Sequence, residues 1–148
     1  REDQRQSVLA APNAALVTAI DIGERTDIHP ANKTLLGDRL ARAALGEAMP
    51  MPARAVLEGE TITITFTGIE DGLHAWSAAY PIGLEVCGDT QESCRYVHAA
   101  IWEDRLLIPA TDRQPVTRIR YAWADSPVVN LFDGRPMPIP GCELPVQR

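Results

Sequence analysis

Three histidines, three cysteines and four serines carry most of the reactive chemistry in this chain. One of them, His29, stands in an informative setting: the stretch DIGERTDIHP from Asp21 to Pro30 follows an apolar run and precedes a helical pattern. Pro30 biases the residue before it to an extended backbone, which fixes how the His29 ring leaves the chain. A helix N-terminus disfavours added positive charge, so the imidazole stays neutral and able to take a proton, as a general base must. In a serine hydrolase the base also needs a carboxylate on its other ring nitrogen, to select the tautomer and stabilise the imidazolium. Asp27 is the nearest carboxylate, and residues two apart in extended chain project to the same side. The same residues support a plainer reading, in which Asp27 caps the helix start and His29 is a partly buried packing residue.

The other reactive groups form no second constellation. Ser7, Ser77, Ser93 and Ser126 lack the glycine-flanked turn that exposes an Oγ among oxyanion-hole amides, so they read as structural. Cys87 and Cys94 bracket the turn-rich segment GDTQES, a loop of the kind a disulfide closes in an oxidising compartment; two unrelated buried thiols are the alternative. Together with His98 they match no common zinc spacing. Cys142 is left over, and no motif asks for a metal or an organic cofactor. Trp76, Tyr80, Tyr96, Trp102, Tyr121 and Trp123 invite a sugar-stacking reading, yet Tyr121 and Trp123 alternate with Arg120 and Ala122 as core residues do, and so pack inside the sandwich or against an absent domain. Trp76, beside GLHAW, is the hardest to assign to a core. His74 and His98 fit no motif.

The elements that must position these groups fall into two halves. REDQRQS, from Arg1 to Ser7, reads as the end of a helix in a chain cut from something longer. Ala14 to Ile22, AALVTAIDI, is an apolar run of the kind that forms a strand buried on both faces of a parallel sheet, with a ligand site just beyond it. Pro30 sits where a first helical residue belongs, and Leu36, Leu40 and Ala44 then recur on one helical face. GEAMPMP, from Gly46 to Pro52, is a linker. Beyond it Ile62, Ile64 and Phe66 alternate with threonines, Ile119, Tyr121 and Trp123 repeat that period of two, and short runs at 83–86, 96–101 and 105–108 lie between turns. The expectation is α/β followed by all-β: residues 1–49 as a segment of an α/β domain and 50–148 as a β-sandwich. A net charge of -6 and a pI near 5.0 provide no basic face for nucleic acid or an anionic membrane. No run approaches the roughly 18 apolar residues of a membrane span.

Three blocks in order strengthen the catalytic reading. DIGERTDIHPANKTLLGDRLARAAL, within the stretch from Asn13 to Leu45, closely resembles the sialate O-acetylesterase family of SGNH-type hydrolases, whose bacterial members carry a D-I-G-x(3)-D-I-H-P-x-N-K segment. RYAWADSPVVNL, from Arg120 to Leu131, is similar to that family's R-Y-A-W-A-D-x-P-x-x-N-L, and GLEVCG, from Gly83 to Gly88, to its G-F-E-x-C. The resemblance implies the carboxyl-terminal piece of an SGNH-type α/β hydrolase domain with an appended β-sandwich, removing O-acetyl groups from sugars by a Ser-His-acid mechanism in the periplasm or outside the cell. His29 matches the catalytic histidine. Most SGNH hydrolases place an aspartate three residues before it, where this chain has Thr26; Asp27, two before, is the first candidate for the acid, Asp21 the second and Glu24 the third. The family's nucleophile and oxyanion donors belong to an N-terminal portion, so the implied partners are that portion and an O-acetylated carbohydrate. A stand-alone carbohydrate-binding or scaffold module and a hemicellulose (xylan or xyloglucan) acetyl esterase are the rival readings.

Overall fold

Why the second half folds is legible in its alternation. In TITITFT, from Thr61 to Thr67, Ile62 and Ile64 are buried while the threonines face outward or sit at the edge of the core, and each isoleucine taken fully out of water contributes about 1.5–3 kcal/mol. The computed structural model describes residues 1–29, 31–111 and 114–148. In chain order the elements are α1 (Glu2–Leu9), α2 (Lys33–Ala44), β1 (Met51–Glu58), β2 (Thr61–Thr67), β3 (Leu73–Ala75), β4 (Leu84–Cys87), β5 (Arg95–Tyr96), β6 (Ala100–Trp102), β7 (Arg105–Pro109), β8 (Arg118–Tyr121), β9 (Leu131–Asp133) and β10 (Cys142–Gln147), with a short 3-10 turn over Gln91–Ser93.

Eight strands form one sheet in the order β5-β4-β8-β10-β1-β2-β7-β6, and β3 pairs with β9 in a small second sheet. The large sheet curls. Its turning point is β10, whose residues 142–145 run antiparallel to β8 while Val146 and Gln147 run parallel to β1. Pro145 lies at the change of partner, where a missing N–H is least costly. Ala55 and Ile62 from one limb, Leu84, Ile119 and Leu144 from the other, and Leu131 and Ile139 join a single apolar core. The expectation of a β-sandwich is met as a β-rich domain with a curled sheet. Tyr121 is in that core as expected, but Trp123 is not: it lies past the end of β8 and is 38% exposed.

Two loops are locked to the sheet by one buried ion pair. Asp133, fully buried, accepts Arg135 through Nη2 at 2.6 Å and Nε at 2.9 Å, and Arg135 also donates to the carbonyls of Ala48 and Gly68. Gly68 is required there: its φ is +68°, and a Cβ would stand 2.2 Å from the carbonyl oxygen of Met49. The linker around Ala48 is thereby tied down rather than free.

The first half departs from expectation in two ways. Among the described residues, 14–22 form no strand; the segment runs irregularly, half-buried from Leu16 onward, with Leu16 to Thr18 flanking a crevice beside Met49, Met137 and Pro138. An apolar run makes a ladder only when neighbouring strands offer partners, and none does so here. The helix begins at Lys33, capped by the Asn32 side chain, which accepts the Leu35 N–H at 3.1 Å. Pro30, expected at its first position, lies outside the described residues. The inward face is centred on Arg39 rather than on Leu36, Leu40 and Ala44; Leu40 is 53% exposed and Leu45 85%. α1 is present and docks on β10 and β1 through Arg5, which donates to the Glu143 carbonyl at 3.4 Å and the Pro52 carbonyl at 3.1 Å and pairs with Glu2 at 2.7 Å. Burial works to raise the Glu2 carboxyl, but Arg5, Gln6 and the Glu143 N–H outweigh it and hold it below its ordinary range. No described helix is long and apolar enough to cross a membrane.

Hydrogen exchange should divide the chain accordingly. Amides of 14–22 should exchange fast and those of Thr61–Thr67 slowly, because only the latter combine ladder hydrogen bonds with deep burial; equal protection in the two segments would contradict this division.

Cys142, buried and reduced, gives a second expectation. Burial pushes its thiol from 9.0 up to about 12 and lifts the Tyr121 hydroxyl above its ordinary 10.0. Groups that keep their protons longer when folded contribute full stability below their unfolded values, so the loss begins near pH 9 and grows toward pH 12. The melting temperature should therefore fall between about pH 8 and about pH 11, less steeply in Cys142→Ala. Iodoacetamide should leave Cys142 unlabelled in the native protein and label it in denaturant; labelling under native conditions would show the thiol is accessible.

Candidate active site

The loop that carries the histidine is built on an ion pair, and that pair involves one of the candidate acids. Asp21 holds Arg39 of α2 with both carboxylate oxygens, Oδ1 and Oδ2 each at 2.7 Å, and Arg39 also donates to the Thr18 carbonyl at 3.1 Å. The arginine is 1% exposed, and its Nε–H finds no acceptor among the described residues. A buried guanidinium confined by a bidentate carboxylate is a geometric lock, since removing either partner strands the other charge. Both Asp21 oxygens accept from Arg39, which fixes the start of the loop on α2.

From Gly23 the loop runs exposed to His29. Asp27 turns its side chain back on the backbone: Oδ1 accepts the N–H of His29 at 2.8 Å, the closure of an Asx turn. That leaves Oδ2 and the His29 ring both at the surface, two residues apart. Asp27 thus orients the backbone from which the imidazole projects, and it does not cap α2, since Asn32 has that place. His29 lies four residues before Lys33, outside the first turn of α2 where the helix dipole acts.

The serines stand apart from this loop. Ser7 Oγ donates to the Asp3 carbonyl at 2.8 Å, and Ser93 Oγ accepts the Gly88 N–H at 2.9 Å inside the disulfide loop. Ser77 is exposed, and Ser126 lies on the wall of a cavity of about 730 Å³ between the sheet and the first half. That cavity also takes in Ile20, Gly23, Glu24, Arg25 and Asp125, so it reaches the base of the histidine loop. No hydrogen bond joins a serine to a histidine ring among the described residues. Cys87 and Cys94 are bonded to each other, as their spacing suggests. His74 contacts the Asp71 carbonyl, and His98 stacks on Tyr80 with centroids 3.8 Å apart. The described residues contain no cluster of histidine, cysteine and carboxylate groups able to hold a metal ion.

The block RYAWADSPVVNL reveals a framework. Arg120 Nε donates to Glu143 at 2.6 Å and its guanidinium lies 4.4 Å from the centre of the Trp123 ring. Asn130, buried, accepts the Ile82 N–H at 2.8 Å and donates to the carbonyls of Trp76 and Tyr80. These residues position loops. Sequence reasoning missed Arg39, Arg120 and Asn130 as anchors, because an arginine on a helix or strand carries no local mark of burial, and an excess of thirteen arginines over one lysine does not say which of them are paired.

Among solved structures, the chain is similar to a carbohydrate acetylesterase from Xanthomonas citri, with a TM-score of 0.81 and 25% identity over 95% of this chain and 34% of that one. It therefore spans about a third of that protein's length. No family model matches the chain, and no curated protein is significantly similar in sequence.

Asp21→Asn should leave Arg39 charged and buried without its partner, costing about 3 kcal/mol. The loss should be visible as faster exchange throughout α2; unchanged protection of α2 would show that the pair does not hold the loop.

Proposed function

We propose that this chain is the histidine-bearing part of a carbohydrate O-acetylesterase, residues 1–49 being the carboxyl-terminal segment of an SGNH-type hydrolase domain and 50–148 its β-sandwich. The observation that carries this is the likeness, along nearly the whole chain, to about a third of a carbohydrate acetylesterase. The exposed apolar side chains of the first half agree with it: Ile28 is 89% exposed, beside His29, and Leu45 85%. In this reading they are covered by an N-terminal portion that also supplies the serine and the oxyanion donors.

The chemistry follows from the loop. The His29 ring takes the proton from the serine Oγ as that oxygen attacks the acetyl carbonyl, then returns it to the departing sugar hydroxyl. Water, deprotonated by the same ring, releases acetate from the acetyl-serine and regenerates the hydroxyl. Asp27 accepts the ring N–H with Oδ2 while Oδ1 keeps its backbone bond, so one carboxylate sets both the tautomer and the direction of the imidazole. Asp21, occupied by Arg39, is the weaker candidate for that role. The substrate is an O-acetylated carbohydrate, sialate by sequence resemblance, with hemicellulose the alternative. The Cys87–Cys94 bridge fits a periplasmic or extracellular site of action.

The test joins this chain to the N-terminal portion and follows acetate release from an activated acetyl ester. His29→Ala should lower kcat by about 10⁴ or more, and Asp27→Asn by about 10² to 10⁴ through loss of the tautomer. Asp21→Asn should act on stability more than on kcat. Near wild-type turnover in His29→Ala would refute the catalytic reading, while a larger kcat loss in Asp21→Asn than in Asp27→Asn would reassign the acid.

A further inference from the structure

We propose that the groove containing Tyr80 and Trp123 is a binding site for a neutral glycan, separate from the residues that perform the hydrolysis; the choice of sugar over other ligands rests on the esterase reading, in its hemicellulose rather than its sialate form. The groove encloses about 550 Å³ and includes Tyr80, Ile82, Tyr96, His98, Trp123 and Val128 in its wall. Its lining contains no Asp, Glu, Lys or Arg. The nearest cations are already engaged, Arg120 by Glu143 and the Trp123 face and Arg1 by the carbonyls of Ala122 and Trp123, so a carboxylate-bearing sugar would lose water for little return, whereas the apolar C–H faces of an uncharged pyranose match flat rings without such a cost.

The rings are fixed before any ligand arrives. Arg120 lies over Trp123 and is itself held by Glu143 at 2.6 Å, leaving the indole 38% exposed. Tyr80 stacks on His98 with planes 21° apart, and its carbonyl takes the Asn130 side-chain N–H at 3.1 Å. The backbone is shaped to the same end. Ala122 adopts φ +50°, a left-handed conformation that costs a non-glycine residue about 1 kcal/mol. That turn breaks the alternation after Tyr121, so Trp123 leaves the core side and enters the groove, and the Ala122 N–H is secured on the Gly83 carbonyl at 2.9 Å. The turn is held by the surrounding hydrogen bonds, so the indole is already placed in the groove before a ligand binds.

The groove is continuous with the rest of the site. Ser126 and Pro127 line both it and the cavity that reaches Gly23, Glu24 and Arg25. A glycan chain stacked on Trp123 therefore extends toward the loop that carries His29. The same surface has the shape to stack a proline-rich peptide, and that occupant is resolved by the test.

Isothermal titration of the full chain should show binding of xylohexaose or cellohexaose, with weaker or no binding of sialyllactose and of a ten-residue polyproline peptide. Trp123→Ala and Tyr80→Ala should each weaken the neutral oligosaccharide about tenfold. Trp123→Phe, which keeps a ring and guards against misfolding, should retain most of the affinity, and Trp102→Ala, outside the groove, should leave it unchanged. No binding of either neutral hexasaccharide, binding insensitive to both alanine variants, or tighter binding of sialyllactose or polyproline would overturn the proposal. Binding at the groove without acetate release by the two-part enzyme would refute the esterase reading alone; acetate release with no binding would refute the groove alone.

Discussion

Everything in the β-rich half depends on one strand with two partners. β10 pairs with β8 along its first four residues and with β1 along its last two, so it is the only link between the two limbs of the sheet among the described residues. The curl that encloses the core follows from this exchange: a strand that leaves one limb for the other bends the sheet around the side chains it faces. Leu144 and Cys142 fill the interior, while Glu143 on the opposite face gathers Arg118 and Arg120 of β8. The Glu143 N–H donates to Glu2 at 3.2 Å, which brings α1 to the same strand. Core, surface ion pairs and the first helix thus share a single origin.

A second theme is the use of arginine as a rigid tie. Arg5, Arg39, Arg120 and Arg135 each join elements far apart in sequence through a carboxylate and one or more backbone carbonyls or aromatic faces. A planar fork holds its donors in fixed directions, matching a carboxylate side by side, whereas a lysine ammonium presents three donors that rotate on a flexible stem. Such ties specify geometry more than they add net stability, since desolvating the ions offsets much of their attraction. Their placement explains how short, irregular segments hold position with little apolar area of their own.

The elements that the sequence disclosed are those whose information is local. Alternation made β2 and β8 visible, and the loop between Cys87 and Cys94 was visible from its turn residues and its ends. Segment 14–22 was misread because its apolar run specifies a strand only when neighbours complete the ladder, and the half-buried course it follows instead beside Met49 and Met137 is a tertiary outcome. The face of α2 was misread for a related reason: Leu36, Leu40 and Ala44 obey the helical period, but Asp21, a dozen residues upstream of the helix start, turns the Arg39 face inward. At the candidate site, the closeness of Asp27 to His29 was legible and is seen at the His29 backbone N–H, while the commitment of Asp21 to Arg39 was not, because nothing in either residue's neighbourhood announces the other. Trp123 left the core through the backbone angle of the residue before it, a feature that alternation cannot encode.

The position of β10 in the chain also governs the order in which the fold can be assembled. β1 and β10 pair across about ninety residues, a contact of high sequence separation whose closure is slow compared with hairpins such as β1–β2. During synthesis from the amino end, β1 and β8 each present an unpaired edge until Cys142–Gln147 has left the ribosome. Through that interval the two limbs are separate half-sheets with their apolar faces open, and the nascent chain is exposed to wrong strand pairing until β10 joins them.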